Sequence, residues 1–567
     1  MTWGQYTRRV VLCILAGDTT AARASAVSMW GAGSHFTAPH GGFFCMNAAC
    51  TIAEAHTWRT AINSYTGARW YIIEAETNKV LDTNSPNGVK TLAYQWKDMS
   101  TDLAFTRHDY YVSVNGSGSG SQGSPWSLAQ AIASNAIVPG DVVHLAVGTY
   151  TGDHVCVWPG DSKHYVTLDG TGSKLNGTLH MQSTGAYVRV NGLEVLCDEW
   201  TTRNSTDPLY PPTDIPNYAA SSGAVKLHMP NVQLINMKVH DTRIGCGNWK
   251  TASNAFLYGC LHWHNGWFSL PEFTENHGEG WYCENETGVK VIRHCMGWNN
   301  FDHNLAIFGT SSPTDYFHIL DNIWFNDEMQ LGGHMPVTDL QFINNACYIT
   351  NDILIGFSSG SEDVLNHDVH ITDNIFSMPT DYYRMLWFHH WQSIEFKRNV
   401  VVCNETTYPV YLKTLPQSAD WDYNTYYYVE RSPDLPGKPF YIEGVGGLTF
   451  EEWKAYTGYD AHSTFTVGLP PANQVVVHLN DYDPRRAHVA IYNWTNASSV
   501  NVDLSGLPAG SYRASNVQNF AEFFDFAAGA AVSFRMTGWT ASKPIGHGAT
   551  IEPLSLPQFG AFLVEGL

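Results

Sequence analysis

Four carboxylates near the middle of the chain, Glu284, Asp302, Asp327 and Glu328, are of the type and density that hydrolysis of a glycosidic bond requires. Such hydrolysis takes two carboxyl groups roughly 5–10 Å apart, one giving a proton to the leaving oxygen and one, ionised, assisting attack. Elimination beside a uronate carboxylate takes a different set: a Lys, His or Tyr base, with an Arg or a bound cation to neutralise the carboxylate. Lys226, His228, Tyr282 and Arg243 fit that set. Lys250, His262, His264, His277, Glu279, His303 and His334 crowd the same stretch, and any one of them taken singly is more often structural than catalytic. His262 and His264 flank Trp263 in a spacing that can bind zinc, but alternating histidines beside Trp on a strand more often stack than ligate, so no metal site is expected. No cofactor is expected either; Asn and Asp ladders are compatible with Ca²⁺, yet no loop has an EF-hand pattern.

The elements that must carry these residues follow from a repeat. Short apolar segments begin at Trp281, Leu305, Met329 and Ile353, each 24 residues after the last, and again at Leu386 and Val410 with the same spacing. A fixed period in strands is the mark of a solenoid. A second column, Gly170, Gly192, Asn236, Gly259, His294, Asn322, Asn345, Asn374 and Asn399, ends successive alternating stretches. Gly and Asn most easily take left-handed backbone angles, so this column is read as the tight turn of each coil, with Asn side chains stacked along the axis. The next residues, Leu193, Met237, Cys260, Cys295, Ile323, Ala346, Ile375 and Val400, read as an apolar interior stack.

Side chains alternate along a strand, so the register also separates inside from outside. With Val225/Leu227, Trp281/Cys283, Leu305/Ile307, Met329/Leu331, Ile353/Ile355, Leu386/Phe388 and Val410/Leu412 inward, the outward set is Lys226, His228, Tyr282, Glu284, Ala306, Phe308, Gln330, Trp387, His389, Tyr411 and Lys413. Aromatic rings beside Lys, His and Glu suit a sugar chain. Trp281, His277, Glu279, His303, Gln330, Trp387, His389 and Tyr411 are taken as substrate-binding candidates, and Glu284, Asp302, Asp327, Tyr282, Lys226, His228 and Arg243 as catalytic ones. Gly192 to Asn236 spans twice the ordinary coil, so residues 197–223 hold either a hidden coil or a long loop, and a further insertion lies near Glu272–Gly280. Insertions on one side of a solenoid usually build its binding site, which places the cleft near residues 220–335.

Composition narrows the class. In 567 residues, 44% hydrophobic and 13% aromatic, there is material for a large core, while 49 Gly and 26 Pro suit a turn-rich all-β chain. A net charge of −21 excludes a simple nucleic-acid binder. No apolar run reaches the roughly 20 residues of a membrane helix, so no membrane insertion is expected. Eleven cysteines leave at least one unpaired; Cys45 and Cys50 can form a local disulfide, and the others read as buried small hydrophobes. Thr7-Arg8-Arg9 before Val10–Ala16 resembles a short export signal with Ala24-Ser25-Ala26 as its cleavage site, although the run stops at Asp18 and a small strand or helix is the stronger reading.

The stretch Tyr110-Tyr111-Val112-Ser113-Val114-Asn115-Gly116, followed by Trp126, Ala129, Ala131, Pro139-Gly140-Asp141, Leu145 and Gly148-Thr149-Tyr150, resembles the opening of right-handed parallel β-helix proteins of the pectin-lyase-like type. Phe450-Glu451-Glu452-Trp453 through Ser463 is similar to their closing segment, and Ala487–Trp494 with Pro557–Phe562 to the β-sandwich often appended to them. The resemblance implies an all-β chain: an N-terminal β-rich head over 1–108, a parallel β-helix over 109–430, a closing segment over 431–465 and a C-terminal β-sandwich over 466–567. Many proteins of this kind are secreted polysaccharide lyases or glycoside hydrolases, and phage tail spikes share the architecture. The chain departs from their motifs: it lacks the paired aspartates and Gly-His-Gly of polygalacturonases, a clear pectate-lyase Arg motif and the Lys/Arg pair of alginate and chondroitin lyases. The expectation is therefore an extracellular β-helix protein that binds and cleaves a polysaccharide, the −21 charge favouring a neutral substrate and hydrolysis. The alternative is a virion tail spike or surface fibre that binds host glycans, attached through 1–108 and trimerised along the solenoid, where outward Phe308, Leu354 and Trp387 would be buried.

Overall fold

The computed structural model describes residues 107–567 apart from 206–211, 213–223, 270–274, 313, 357–363, 405 and 430–436, and in residues 1–106 the backbone of four strands. Those four, Arg8–Leu15, Phe43–Cys50, Arg69–Glu74 and Val80–Thr83, form an antiparallel sheet in a unit that ends at Thr106. The segment read as a short export signal thus contains a strand, while its Ala24-Ser25-Ala26 lies outside the described residues. Cys45 and Cys50 lie on one extended strand; five steps of about 3.3 Å separate them too far for the expected disulfide. All eight cysteines from Cys156 to Cys403 are buried.

Residues 107–567 form a right-handed parallel β-helix with a C-terminal sandwich. Each coil contributes one strand to each of three parallel ladders. The first runs from Asp109–Val112 to Ser418–Asp422 through twelve strands. The second includes Lys238–His240, Leu261–Trp263, Met296–Trp298, Ile323–Phe325 and Ala346–Tyr348. The third contains the 24-residue repeat: Trp281 pairs with Leu305, Leu305 with Met329, Met329 with Ile353, Ile353 with Leu386 and Leu386 with Val410. The residues read as inward in this ladder are all buried.

The turn column corrects the sequence reading by one residue in half of its length. Arg293 pairs with Leu320, which aligns His294 with Asp321 and Cys295 with Asn322. The left-handed positions are Gly192, Asn236, Gly259, His294, Asp321, Asn344, Asp373, Arg398 and Tyr423, with φ of 53–67°. The asparagines Asn322, Asn345, Asn374 and Asn399 are one step further on, inside the coil. Asn322 Nδ2 donates to Asn345 Oδ1 at 3.0 Å, Asn345 to Asn374 at 3.1 Å, Asn374 to Asn399 at 3.0 Å and Asn399 to Asn424 at 3.2 Å. Because a slip of one residue reverses the face, Ile323 and Ala346 point outward rather than into the interior stack. Asp460, behind the capped helix Phe450–Thr457, ends the ladder by accepting from Asn424 Nδ2, Trp453 Nε1 and Ser463 Oγ.

The outward side of the second ladder is covered. The sandwich, a five-stranded antiparallel sheet ordered Gln474–Leu479, Arg486–Tyr492, Phe559–Gly566, Ser511–Asn516, Phe523–Ala527, with a two-stranded sheet beside it, packs Tyr492, Phe559, Ala561 and Leu563 against Met296, Ile323, Phe325 and Ala346. The solenoid ladders also extend past residue 430, since Phe440–Ile442 pairs with Tyr408–Leu412 and Thr464–Val467 with Thr425–Val429. Arg189–Asn191 pairs directly with Gln233–Ile235, so the stretch between them is one coil; most of the expected loop or hidden coil over 197–223 lies outside the described residues.

Asn345→Ala removes the acceptor of the Asn322 amides and the donor to the Ile319 and Ile343 carbonyls, all buried. A loss of about 3 kcal/mol or more is expected, read as a fall in the denaturation midpoint of the 107–567 unit in the full chain.

Candidate functional site

Every coil turns a corner between the second and third ladders, and four successive corners bring acids together. Glu279 ends the inserted hairpin of Trp267–Ser269 and Glu275–His277; Asp302 and His303 belong to the next coil, Asp327 and Glu328 to the one after, Asp352 to the fourth. Left-handed angles at Asn299, Asn326 and Asp327 make these corners tight, a conformation Asn and Asp tolerate. Beneath the acids a second amide chain fixes the corners: Asn265 Nδ2 donates to Asn300 Oδ1, Asn300 Nδ2 to Asn304 Oδ1, and Asn304 Nδ2 to the Phe325 and Asn326 carbonyls, at 2.9–3.1 Å.

His303 is held between two carboxylates. Its Nδ1 lies 3.0 Å from Asp302 Oδ2 and its Nε2 3.1 Å from Glu328 Oε1. Burial works against charge on the imidazole, but Asp302, Glu328 and Glu279 outweigh it and raise its pKa to about 10. Glu328 is pushed up to about 7 by burial, the His303 charge opposing the rise and the Asp302 and Asp352 charges adding to it. Glu279 is pushed up to about 7 by burial and then by Asp302, and its Oε2 is buried without a hydrogen-bond partner. Asp327 lies deeper, accepting the Asn300 N–H at 2.6 Å, and burial with the Glu552, Glu328 and Asp302 charges raises its pKa. Arg384 binds Asp352 at 2.5 Å, and Arg243, whose guanidinium lies over Trp267 at 5.1 Å, attracts Glu279 from the other side.

Asp302, His303 and Glu328 place one ligand atom each within 4.8 Å of one another, the one grouping among the described residues with spacing to hold a metal ion. The fit is poor. Both ring nitrogens of His303 already face carboxylates at ion-pair distance, and Ca²⁺ takes oxygen ligands, leaving two carboxylates to hold it.

The other expected residues fall in three places. Tyr282, Gln330, Trp387 and Tyr411 stand on the outer side of the third ladder, where Trp387 lies under the Arg384 guanidinium at 3.2 Å and Tyr411 stacks on Tyr441 at 4.6 Å. Tyr282, raised by burial and by the Glu284 and Glu279 charges, is a poor proton acceptor. His389 is buried beside Trp387, and burial lowers its pKa to about 3. Glu284 sits at the far end of its strand beside Phe308, hydrogen-bonded towards Ser312 and Lys250 and apart from the Asp302–Glu328 pair. His277 stacks on Trp267 in the hairpin. Lys226 and His228 stand three coils from Ala306. Trp281 is corrected to the core: it is completely buried and its ring stacks on His262 at 3.7 Å, so it offers no surface to a ligand. That stack, and the His262 Nδ1 donation to the Gly280 carbonyl, also account for His262 without a metal. Arg384, Asp352 and Glu552 were not anticipated; only the 32-residue offset between Asp352 and Arg384, one long coil, hinted at the pairing.

No protein-family model and no curated protein sequence matches the chain. Among solved structures it is similar to pectate lyase Pel9A (14% identity, TM-score 0.31, covering 62% of this chain and 79% of that one). It is similar also to PfbA, a surface adhesin of Streptococcus pneumoniae (13%, TM-score 0.38, 52% and 79%), and to a mutant tailspike protein of E. coli bacteriophage HK620 in complex with pentasaccharide (10%, TM-score 0.30, 96% and 100%). These are likenesses of fold. Among the described residues no helix is long and apolar enough to cross a membrane.

The charged His303 contributes stability that is complete below its ordinary pKa of about 6.5 and is lost as pH rises through about 10. His303→Gln should lower stability by about 1–3 kcal/mol at pH 6, where that contribution is complete, and by less at pH 9.5, where most of it has gone. Denaturant melts at the two pH values check this.

Proposed function

We propose that this β-helix binds a polysaccharide outside the cell along the outer side of its third ladder and hydrolyses it at the acid row. The observation that supports this most is Glu279: a carboxyl raised to about 7 by burial, with an unpartnered oxygen, beside the more exposed Asp302. Two carboxyl groups whose surroundings separate their protonation states provide an acid and a base. In this reading protonated Glu279 gives its proton to the glycosidic oxygen as the C–O bond breaks. Asp302, held by the His303 imidazolium, stabilises the positive charge that develops on the sugar and accepts the proton of the incoming water. Glu328 fixes the other side of His303, and Tyr282, Gln330, Trp387 and Tyr411 supply ring and amide surface to the chain.

The alternative, a virion or surface spike that holds a glycan without cutting it and is attached through residues 1–108, draws on the separate unit over 1–106. The two readings differ in turnover.

Reducing-end release from a panel of neutral and acidic polysaccharides tests the proposal. Glu279→Gln should lower the rate by about a hundred- to ten-thousand-fold while the protein still binds glycan. The rate should also fall as pH rises through about 7, where Glu279 loses its proton. Binding without reducing ends across the panel would favour the spike, and an unsaturated product would replace hydrolysis by elimination.

A further inference from the structure

Outward-facing bases on the solenoid are generally met by an acid in the neighbouring coil. Lys174 pairs in register with Glu194 and bonds it at 2.6 Å; His303 pairs with Glu328 at 3.1 Å; His370 pairs with Glu395 at 2.7 Å. The third ladder breaks this rule around Lys226, and again where Lys413 stands beside His389. Lys226 is the register partner of His180, so two bases stand directly opposite on neighbouring parallel strands, where like charges destabilise the pair. His228, two residues on, brings its ring 5.1 Å from that of His180. No carboxylate forms an ion pair with Lys226, His180 or His228 among the described residues, and Asp153, the acid whose charge reaches Lys226, is hydrogen-bonded to Thr178.

Two unpartnered groups point the same way. The His180 Nε2 and the Trp249 indole Nε1–H are both buried with no hydrogen-bond partner, and Trp249 stacks on His228 at 5.8 Å with ring planes 11° apart. Trp249 in turn packs at 5.3 Å on Tyr282, so the cluster is continuous with the aromatic side of the third ladder. Three convergent bases, an unpaired donor and a ring face form a surface for a ligand that is at once anionic, rich in acceptors and flat: a sugar carrying a carboxylate or a sulfate. Strands in a sheet are about 4.8 Å apart, so Lys226 lies about 14 Å along the axis from the coil of the acid row.

We infer that Lys226, His180, His228 and Trp249 form an anion subsite that selects an acidic glycan, with the charged group held three coils to the N-terminal side of the Asp302 coil. This rests on the glycan-binding reading above and names its substrate class, reversing the preference for a neutral polymer that the net charge of −21 suggested. Burial lowers the pKa of both histidines, His180 further through Lys226, and His228 through His180, Lys226 and Lys290. An incoming anion therefore gains attraction as pH falls and the rings take up protons, while Asp153 opposes it weakly through Lys226.

The test uses the full chain carrying Glu279→Gln to suppress turnover, titrated calorimetrically with three oligosaccharides of equal length: neutral, uronate-containing and sulfated. At least one acidic probe should bind about ten-fold or more tightly than the neutral one at low salt, and the advantage should grow from pH 8 to pH 5.5 and shrink as salt is added. Lys226→Met should abolish the preference and Lys226→Arg should keep it, with far-UV circular dichroism confirming that both fold. The stronger of the two acidic probes identifies carboxylate or sulfate as the ligand. Equal binding of neutral and acidic probes, or a preference that survives Lys226→Met, would overturn the anion subsite and leave the glycan reading standing. Binding of none of the three would overturn both.

Discussion

A parallel solenoid has to turn its chain sharply at the same place in every coil while the peptide groups of the turn sit under the next coil, out of reach of water. Two stacked columns meet this constraint here. The left-handed positions from Gly192 to Tyr423 supply the turn, and the residue after each fills the interior, as Leu193, Met237, Cys260 and Cys295 in the early coils and as Asn322, Asn345, Asn374, Asn399 and Asn424 in the later ones. Asn322 accepts one amide bond from the coil before it, and Asn345, Asn374, Asn399 and Asn424 accept two each while the Asn amides donate to carbonyls there, so these polar groups of the turn are paired within the protein. Without that column the third ladder would have no fixed register, and residues 49 apart in sequence, such as Glu279 and Glu328, would not share a corner.

The fold uses the same three-residue arrangement twice, with opposite charge balance. His240 lies between Asp241 at 2.8 Å and Glu194 at 3.2 Å and stacks on Trp263 at 4.1 Å. There the acids are answered: Arg203, fully buried over Trp200, binds Asp241 at 2.7 Å, and Lys174 binds Glu194 at 2.6 Å. Glu194 is accordingly brought down to about 2, the His240 and Lys174 contacts outweighing its burial. Around His303 the acids outnumber the bases, since Glu279, Asp327, Asp352 and Glu552 crowd in and only Arg243 and Arg384 answer them. Burial, with the excess of acids added to it, raises the Glu279 and Glu328 carboxyls into the range where a group can give and take a proton near neutral pH. The first triad holds an inserted loop against the C-terminal segment, through Arg203 to the Ile545 carbonyl; the second has the chemistry left over.

Much of this was legible in the sequence, for a physical reason. The 24-residue interval survives because each third-ladder strand must bury two alternating side chains over the strand before it, so Leu305, Met329 and Ile353 cannot drift. Asp302, His303, Asp327, Glu328 and Glu279 were all in view, and the corners brought them together. What failed was phase. Gly and Asn both tolerate left-handed angles, so the sequence offers no means of telling Asn344 from Asn345 as the turn; the choice rests on which side chain reaches the coil above. Trp281 was placed among ligand contacts although its own register points it inward, and the acid row's partners Arg384, Asp352 and Glu552 were invisible because they arrive from other coils and from the sandwich.

Net charge and its distribution point in different directions here. At a Debye length of about 8 Å in physiological salt, most of the 52 acidic side chains are screened from a ligand on the third ladder. What a ligand there would meet is local: bases opposite bases at Lys226 and His180, acids without enough bases at Asp302 and Glu328, and rings at Tyr282, Trp387 and Tyr411. A solenoid separates such patches by whole coils, so one axial surface can attract an anion at one rung and keep a carboxyl protonated three rungs on without either charge cancelling the other.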